Sequence, residues 1–171
     1  MRCRLGLVIA LTGSIAFSGA ALAQQSPYAG DQTRAIKSLS PADVDALTNG
    51  TGMGMAKAGE LNGYPGPAHI LGMSDMLKLS PDQKAAITAI MGRMSTSAKM
   101  LGAQILERER ILDGQFAKGT ITPELLTQET AEIGGLQGQL RAIHLEAHLE
   151  TKALLNPEQI AAYDRMRGYA Q

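Results

Sequence analysis

Thiols and aromatic rings are scarce in this 171-residue chain, which has one Cys, no Trp, two Phe and four Tyr. One Cys can form neither an internal disulfide nor a Cys-rich zinc site. So few rings leave no thick aromatic core and no aromatic-lined cofactor pocket. An excess of one charge is missing as well. The 16 basic and 16 acidic residues give a formal net charge of zero, so no basic surplus is left to neutralise nucleic-acid phosphates. No segment alternates apolar and polar residues with period two, so no sheet is predicted. What is present is aliphatic: Ala, Leu, Ile and Met dominate a chain of one-domain length, the composition of packed helices.

Part of this inventory belongs to a segment that reads as an export signal. Residues 1–23 join a basic start at Arg2 and Arg4 to an apolar run from Leu5 to Phe17 and a small-x-small pattern, Ala21-Leu22-Ala23. The run is too short, and too interrupted by Gly and Ser, for a membrane anchor. Cys3 precedes the apolar run, so the pattern is not that of a lipoprotein. Cleavage after Ala23 leaves 148 residues with 14 basic and 16 acidic side chains, a net −2, and no Cys. The expectation is a periplasmic protein that holds together without disulfides and has no membrane span once the signal is removed.

Residues 24–66 form a Gly- and Met-rich N-terminal arm, and residues 67–171 a helical hairpin domain. The polar stretch 24–38 reads as loose. Short helices are predicted near 41–48, stopped by Asn49-Gly50, near 53–61, stopped by Asn62-Gly63, and over 67–77. Two long helical patterns follow. In the first, Ile87, Met91, Met94, Ala98, Leu101, Ile105, Leu112 and Phe116 recur at helical spacing. In the second, Leu126, Ile133, Leu140, Ala147 and Leu154 fall every seventh residue, with Leu136 and Ile143 filling the seam. The link Lys118-Gly119-Thr120-Ile121 is short, so the two helices are expected to run antiparallel. A last short helix is predicted over 157–168. The fold class read from this is all-α: an elongated antiparallel helical hairpin with short flanking helices.

The helix starts resemble one another. LSPDQKAAI at 79–87 and LNPEQIAAY at 155–163 share five of nine residues, and LSPADVDAL at 39–47 and ITPELL at 121–126 are weaker relatives. Ser80, Asn156, Ser40 and Thr122 suit the N-cap, with Pro at the first helical position. Gln83 and Gln159 fall three residues after their caps, where the side chain reaches back to the cap's backbone N–H. Leu155 precedes its cap and can pack on Ile160; Leu79 has Lys84 in that place.

The pair Leu79-Ser80-Pro81-Asp82-Gln83 and Leu155-Asn156-Pro157-Glu158-Gln159 resembles the twin Leu-Thr-x-x-Gln motifs of the Spy/CpxP family, which includes heavy-metal resistance and metal-sensing relatives. Ser80 and Asn156 replace the family's Thr and keep its capping chemistry. The resemblance covers about residues 67–168; the Gly/Met-rich arm at 39–66 lies largely outside it, although its Gly-Tyr-Pro-Gly-Pro segment at 63–67 is similar to that of some heavy-metal-resistance relatives. It implies a four-helix, hairpin-like subunit that dimerises into a curved cradle. It further implies either an ATP-independent chaperone or stress-pathway modulator, or a binder of divalent metals. The partners implied are unfolded or stressed periplasmic proteins, or a membrane sensor protein.

Among candidate chemical groups, His144 and His148 are four residues apart on the second long helix, so both imidazoles share one face, as a divalent transition metal requires. A zincin needs its Glu directly after the first His, whereas Glu146 is two residues on from His144, about 200° round the helix, so hydrolysis is not supported. Antiparallel pairing puts residue 148 opposite roughly residue 94, where Met94, or Met91 a turn away, offers a soft thioether. The ions considered are zinc, nickel, cobalt and copper. The plainer reading makes both His ordinary helix residues beside the seam, and Met91 and Met94 core fillers. His69 is a weaker candidate. Met53 and Met55 in GTGMGM offer a weak copper(I) pair, while Gly50, Gly52 and Gly54 lack the spacing of a dinucleotide fingerprint. The run Glu107-Arg108-Glu109-Arg110 reads as a solvated face. With no catalytic constellation in view, the expected function is that of a binding protein: a chaperone-like module that shields apolar segments, or alternatively a metal sensor built on His144 and His148. No enzyme and no required cofactor are expected.

Overall fold

The computed structural model describes residues 26–169, so the export signal expected at 1–23 lies outside them. Six α-helices form among the described residues, α1 (Pro41–Asn49), α2 (Lys57–Glu60), α3 (Pro67–Gly72), α4 (Pro81–Lys118), α5 (Pro123–Ala153) and α6 (Pro157–Arg167), and no strand does. The fold is all-α, as the patterning predicts. None of these helices is long and apolar enough to cross a membrane.

Capping chemistry explains where the chain turns helical. Pro occupies the first turn of α1, α4, α5 and α6, and the side chains of Ser40, Ser80, Thr122 and Asn156 accept the backbone N–H three residues on. In α1, α4 and α6 the residue at that third position returns the bond, so that Asp43, Gln83 and Gln159 each complete a reciprocal cap. Gly119 ends α4 in the left-handed conformation, φ 64°, so that its own N–H and that of Thr120 cap the carbonyls of Gln115 and Phe116 and the chain turns back along α5. At 38 residues α4 spans about 57 Å. With α5 it makes the elongated antiparallel hairpin.

At the open end of the hairpin, α3 and α6 close over its base. Ile70, Leu77, Leu79, Ile87, Leu155 and Tyr163 form one buried cluster there, each large side chain contributing about 1.5–3 kcal/mol of burial. Leu79 and Leu155, which precede the two caps, are thus both core residues. The two motif glutamines meet across this base. Gln83 Nε2 donates to Gln159 Oε1 at 3.0 Å and Gln159 Nε2 to Gln83 Oε1 at 3.1 Å. Each also donates to a main-chain carbonyl, Gln83 to Leu154 at 2.7 Å and Gln159 to Leu77 at 3.3 Å. Each accepts from its own cap, Ser80 N–H and Asn156 N–H, at 3.0 Å. Both amides therefore use both donors and both acceptor sites.

A second cluster, Leu47, Ala98, Leu101, Ile105 and Leu140, lies midway along the hairpin. Here α1 crosses α4 so closely that a Cβ on Gly102 would stand 2.0 Å from the Leu47 carbonyl oxygen. Only Gly lets the backbones approach to that distance. The arm differs from its expected looseness: Asp31–Thr33 makes a short 3-10 turn, Ile36 is buried, Lys37 pairs with Asp113 at 2.9 Å and Ser38 donates to Glu109 at 2.8 Å. The predicted helix at 53–61 shrinks to Lys57–Glu60, because Met53 and Gly54 take left-handed angles. The helix at 67–77 stops at Gly72 in a series of turns.

Burial along the hairpin is not continuous. On α4 the last buried residue is Ile105, and on α5 only Glu129 is buried before Ile133. Beyond them Ile111, Leu112, Ile121 and Leu125 are half-buried and Phe116 and Leu126 are exposed. The apolar stripes reach the tip as predicted; among the described residues the arm follows α4 only as far as Asp113, and α6 lies at the open end, so the stripes beyond are left partly uncovered.

Candidate functional site

Between the arm and the hairpin lies a cavity of about 600 Å³. Its floor is one turn of α4, Met91 to Ser95, and the inner face of α5 at His144 and His148; its cover is the arm from Asn49 to Leu61, with Gly66 to His69 at one end. The pair at four-residue spacing and the Met opposite it are thus brought to one place, as antiparallel pairing requires. Met91 and Met94 are not core fillers: Met91 is exposed and Met94 half-buried on the cavity wall.

The two imidazoles differ in environment. His148 Nδ1 lies 2.6 Å from the Tyr64 carbonyl oxygen. A carbonyl only accepts, so this nitrogen carries the proton. The other nitrogen faces Gly66, where a Cβ would come within 2.7 Å of Nε2. His148 therefore fastens the arm to α5. His144 is 3% exposed. Neither of its nitrogens makes a hydrogen bond among the described residues, and Nε2 is sealed from solvent without a partner. A buried polar group left so costs about 1–3 kcal/mol. Burial first, then the neighbouring His148, holds its pKa below the ordinary 6.5, so the ring is neutral and keeps a lone pair at neutral pH. Gly52 lies along the ring's Nδ1 edge.

In the lining of this cavity Glu60 gathers the ends of four elements. It is buried. The Tyr163 hydroxyl of α6 donates to its Oε1, and the Gly66 N–H donates to Oε2 at 3.2 Å. Around it stand His69 Nδ1 at 3.2 Å, His148 Nδ1 at 3.7 Å and Arg167 Nε at 3.8 Å. The Tyr169 hydroxyl donates at 3.4 Å. Burial, and then the bond to Glu60, pushes the Tyr163 phenol well above its usual range, so it stays a donor at any physiological pH. Glu60 is the one acidic residue between Asp45 and Asp75. That isolation within a Gly-rich, apolar stretch is the signal that marks it.

Other candidates are dispersed. His69 is exposed at one end of the cavity and bonds Tyr163. Met55 packs on the middle cluster, and of the two only Met53 also lines the cavity of His144. The run Glu107–Arg110 is more than a solvated face, since Arg108 reaches Glu132 at 2.5 Å and Glu129 at 3.6 Å on α5. Among the described residues no three His, Cys, Asp or Glu side chains gather as a metal-binding group.

A family profile described as LTXXQ motif family protein matches residues 68–167, from the start of α3 to the end of α6. No curated protein and no solved structure gives a match.

Proposed function

Because the chain belongs to the LTXXQ motif family, the Spy/CpxP-like group its twin motifs resemble, we propose that it works in the periplasm as a non-catalytic, chaperone-like protein that shields apolar segments of unfolded or stressed clients. The observation that carries this reading is the uncovered hairpin tip. There Ile111, Leu112, Ile121 and Leu125 are only half-buried, and Phe116 and Leu126 are 55% and 39% exposed. Below them a groove of about 570 Å³ runs between α4 and α5, with Ile111 and Leu136 at its base and Glu107, Arg108 and Glu132 on its rim. An apolar strip edged with both signs of charge holds varied unfolded segments weakly and needs no nucleotide.

The test is aggregation of a chemically unfolded client, followed by light scattering without nucleotide and with chelator present. Wild type is expected to suppress it at near-equimolar ratio. Phe116→Ser with Leu126→Ser, both exposed and outside the core, is expected to lose most of that protection. Equal protection by this variant refutes the tip as the client surface. A change in sedimentation between wild type and variant would instead identify a second copy as what the tip binds.

A divalent-metal sensor is the second reading, favoured by the convergence of His144 and His148 on one cavity wall. It requires the Nε2 lone pair of His148, which now faces Gly66, to reach the ion while Nδ1–H stays on the Tyr64 carbonyl. Zinc, nickel or cobalt binding that His148→Ala abolishes would support it.

A further inference from the structure

We propose that the cavity under the arm binds a soft monovalent ion, copper(I) or silver(I), through an imidazole nitrogen of His144 and the thioethers of Met94 and Met91, with Met53 closing the site from above. The inference refines the metal reading and does not depend on client binding.

Three observations carry it. The first is His144 itself, almost fully buried with no hydrogen bond and an unpartnered Nε2. A buried polar atom in this state calls for a ligand. The thioethers that share the cavity wall are weak acceptors that give it little. The second is the donor set. The cavity offers sulfur from Met53, Met91 and Met94 and nitrogen from His144. The carboxylate in its lining, Glu60, is already taken by Tyr163 and the Gly66 N–H, and the lone-pair nitrogen of His148, Nε2, is packed against Gly66 while its Nδ1–H is held by Tyr64. Neutral sulfur and nitrogen donors without a free carboxylate suit a soft single charge. A divalent ion would remain uncompensated in a half-buried site, which costs far more. The third is the placement of Met53. It stands at φ 46° between Gly52 and Gly54, an angle that costs a non-Gly residue about 1–2 kcal/mol. The Met55 N–H to Gly52 carbonyl bond, at 2.7 Å, fixes that turn above the cavity. No thiol competes, since the single Cys lies at position 3.

The full chain lacking residues 1–23 is titrated with copper(I) against a chromophoric copper(I) chelator, and with silver(I) while the Met methyl resonances are followed by NMR. The expected result is one equivalent bound per chain, with the methyl signals of Met91 and Met94 shifting and those of Met76, Met100 and Met166 unmoved. Met94→Leu, which keeps the packing volume, is expected to weaken binding at least tenfold while leaving the metal-free unfolding midpoint unchanged. His144→Leu is expected to abolish it. Absence of stoichiometric binding overturns the proposal, as does undiminished binding by Met94→Leu. Preferential uptake of zinc that is lost in His148→Ala overturns it in favour of the His144–His148 chelate.

Discussion

Replacing Gln83 with Ala removes four side-chain hydrogen bonds together: the one from Ser80 N–H, the one to Leu154 and the two shared with Gln159. The Ser80 N–H is exposed, so water replaces that partner and the loss is about 0.5–1.5 kcal/mol. The Leu154 carbonyl and the buried Gln159 amide are less fortunate, each left wanting at a cost near 1 kcal/mol or more. The sum for Gln83→Ala is about 2–4 kcal/mol. Gln159→Ala, with the mirrored set of partners, is expected to cost the same. In the double variant the shared pair is lost only once and neither amide is stranded. The total then falls short of the sum by about 1–3 kcal/mol. Urea unfolding followed by far-UV circular dichroism, on wild type, both single variants and the double, yields this coupling directly. A coupling below about 0.5 kcal/mol would show that the glutamines serve two separate caps, and the reciprocal clasp would be energetically empty. Gln83→Glu sharpens the result. It keeps the bond from Ser80 N–H but turns acceptor oxygens toward Leu154 and Gln159, so it should be as damaging as Ala.

Three further outcomes follow from the arm. Gly102→Ala places a methyl group against the Leu47 carbonyl; the helix propensity it gains is about 1 kcal/mol, and the arm should still lift, with faster amide exchange over residues 41–60 while α4 is unchanged. Unaltered exchange would refute the close crossing. Glu60→Ala strands the Tyr163 hydroxyl and the Gly66 N–H, for an expected loss of about 2–4 kcal/mol; denaturant unfolding measures it, and Glu60→Gln should recover only part, because its single amide oxygen accepts one of the two bonds. Asp43 is held below its ordinary 3.8 by the Ser40 hydroxyl and then the Ser40 backbone N–H. The folded state thus favours the carboxylate, so its stabilisation is present above pH 3.8 and fades as pH falls through that value toward the lower folded pKa. Acid titration of arm protection should show this loss in wild type and not in Asp43→Asn.

What could be read from residues alone was local or periodic. Caps, prolines and the Gly119 turn lie within one helical turn of what they govern, so Ser80, Asn156 and Thr122 could be placed from the sequence. The antiparallel register follows from a four-residue link and two stripes, and it brought Met94 to the His144–His148 face. The rest depended on segments distant in sequence. That Gln83 meets Gln159, 76 residues away, requires knowing that α6 folds back on the start of α4. That His148 is committed and His144 is not depends on where Tyr64 and Gly66 come to rest. Leu112, Phe116 and Leu126 show the converse: helical spacing marks which face is apolar, not whether anything arrives to cover it.

The arm is fastened unequally. Near Glu60 its bonds are buried and short, sealed by Tyr163 and His148. Toward residue 26 it is held by Ile36 and by pairs exposed to solvent, Lys37 with Asp113 and Ser38 with Glu109. Salt screens exposed ion pairs, whereas buried ones are screened much less. Fraying is therefore expected to start at the end held by Asp113 and Glu109 and to stop at the Glu60 knot. Rising salt should loosen the arm at Lys37–Asp113 first and leave its attachment at Glu60 in place.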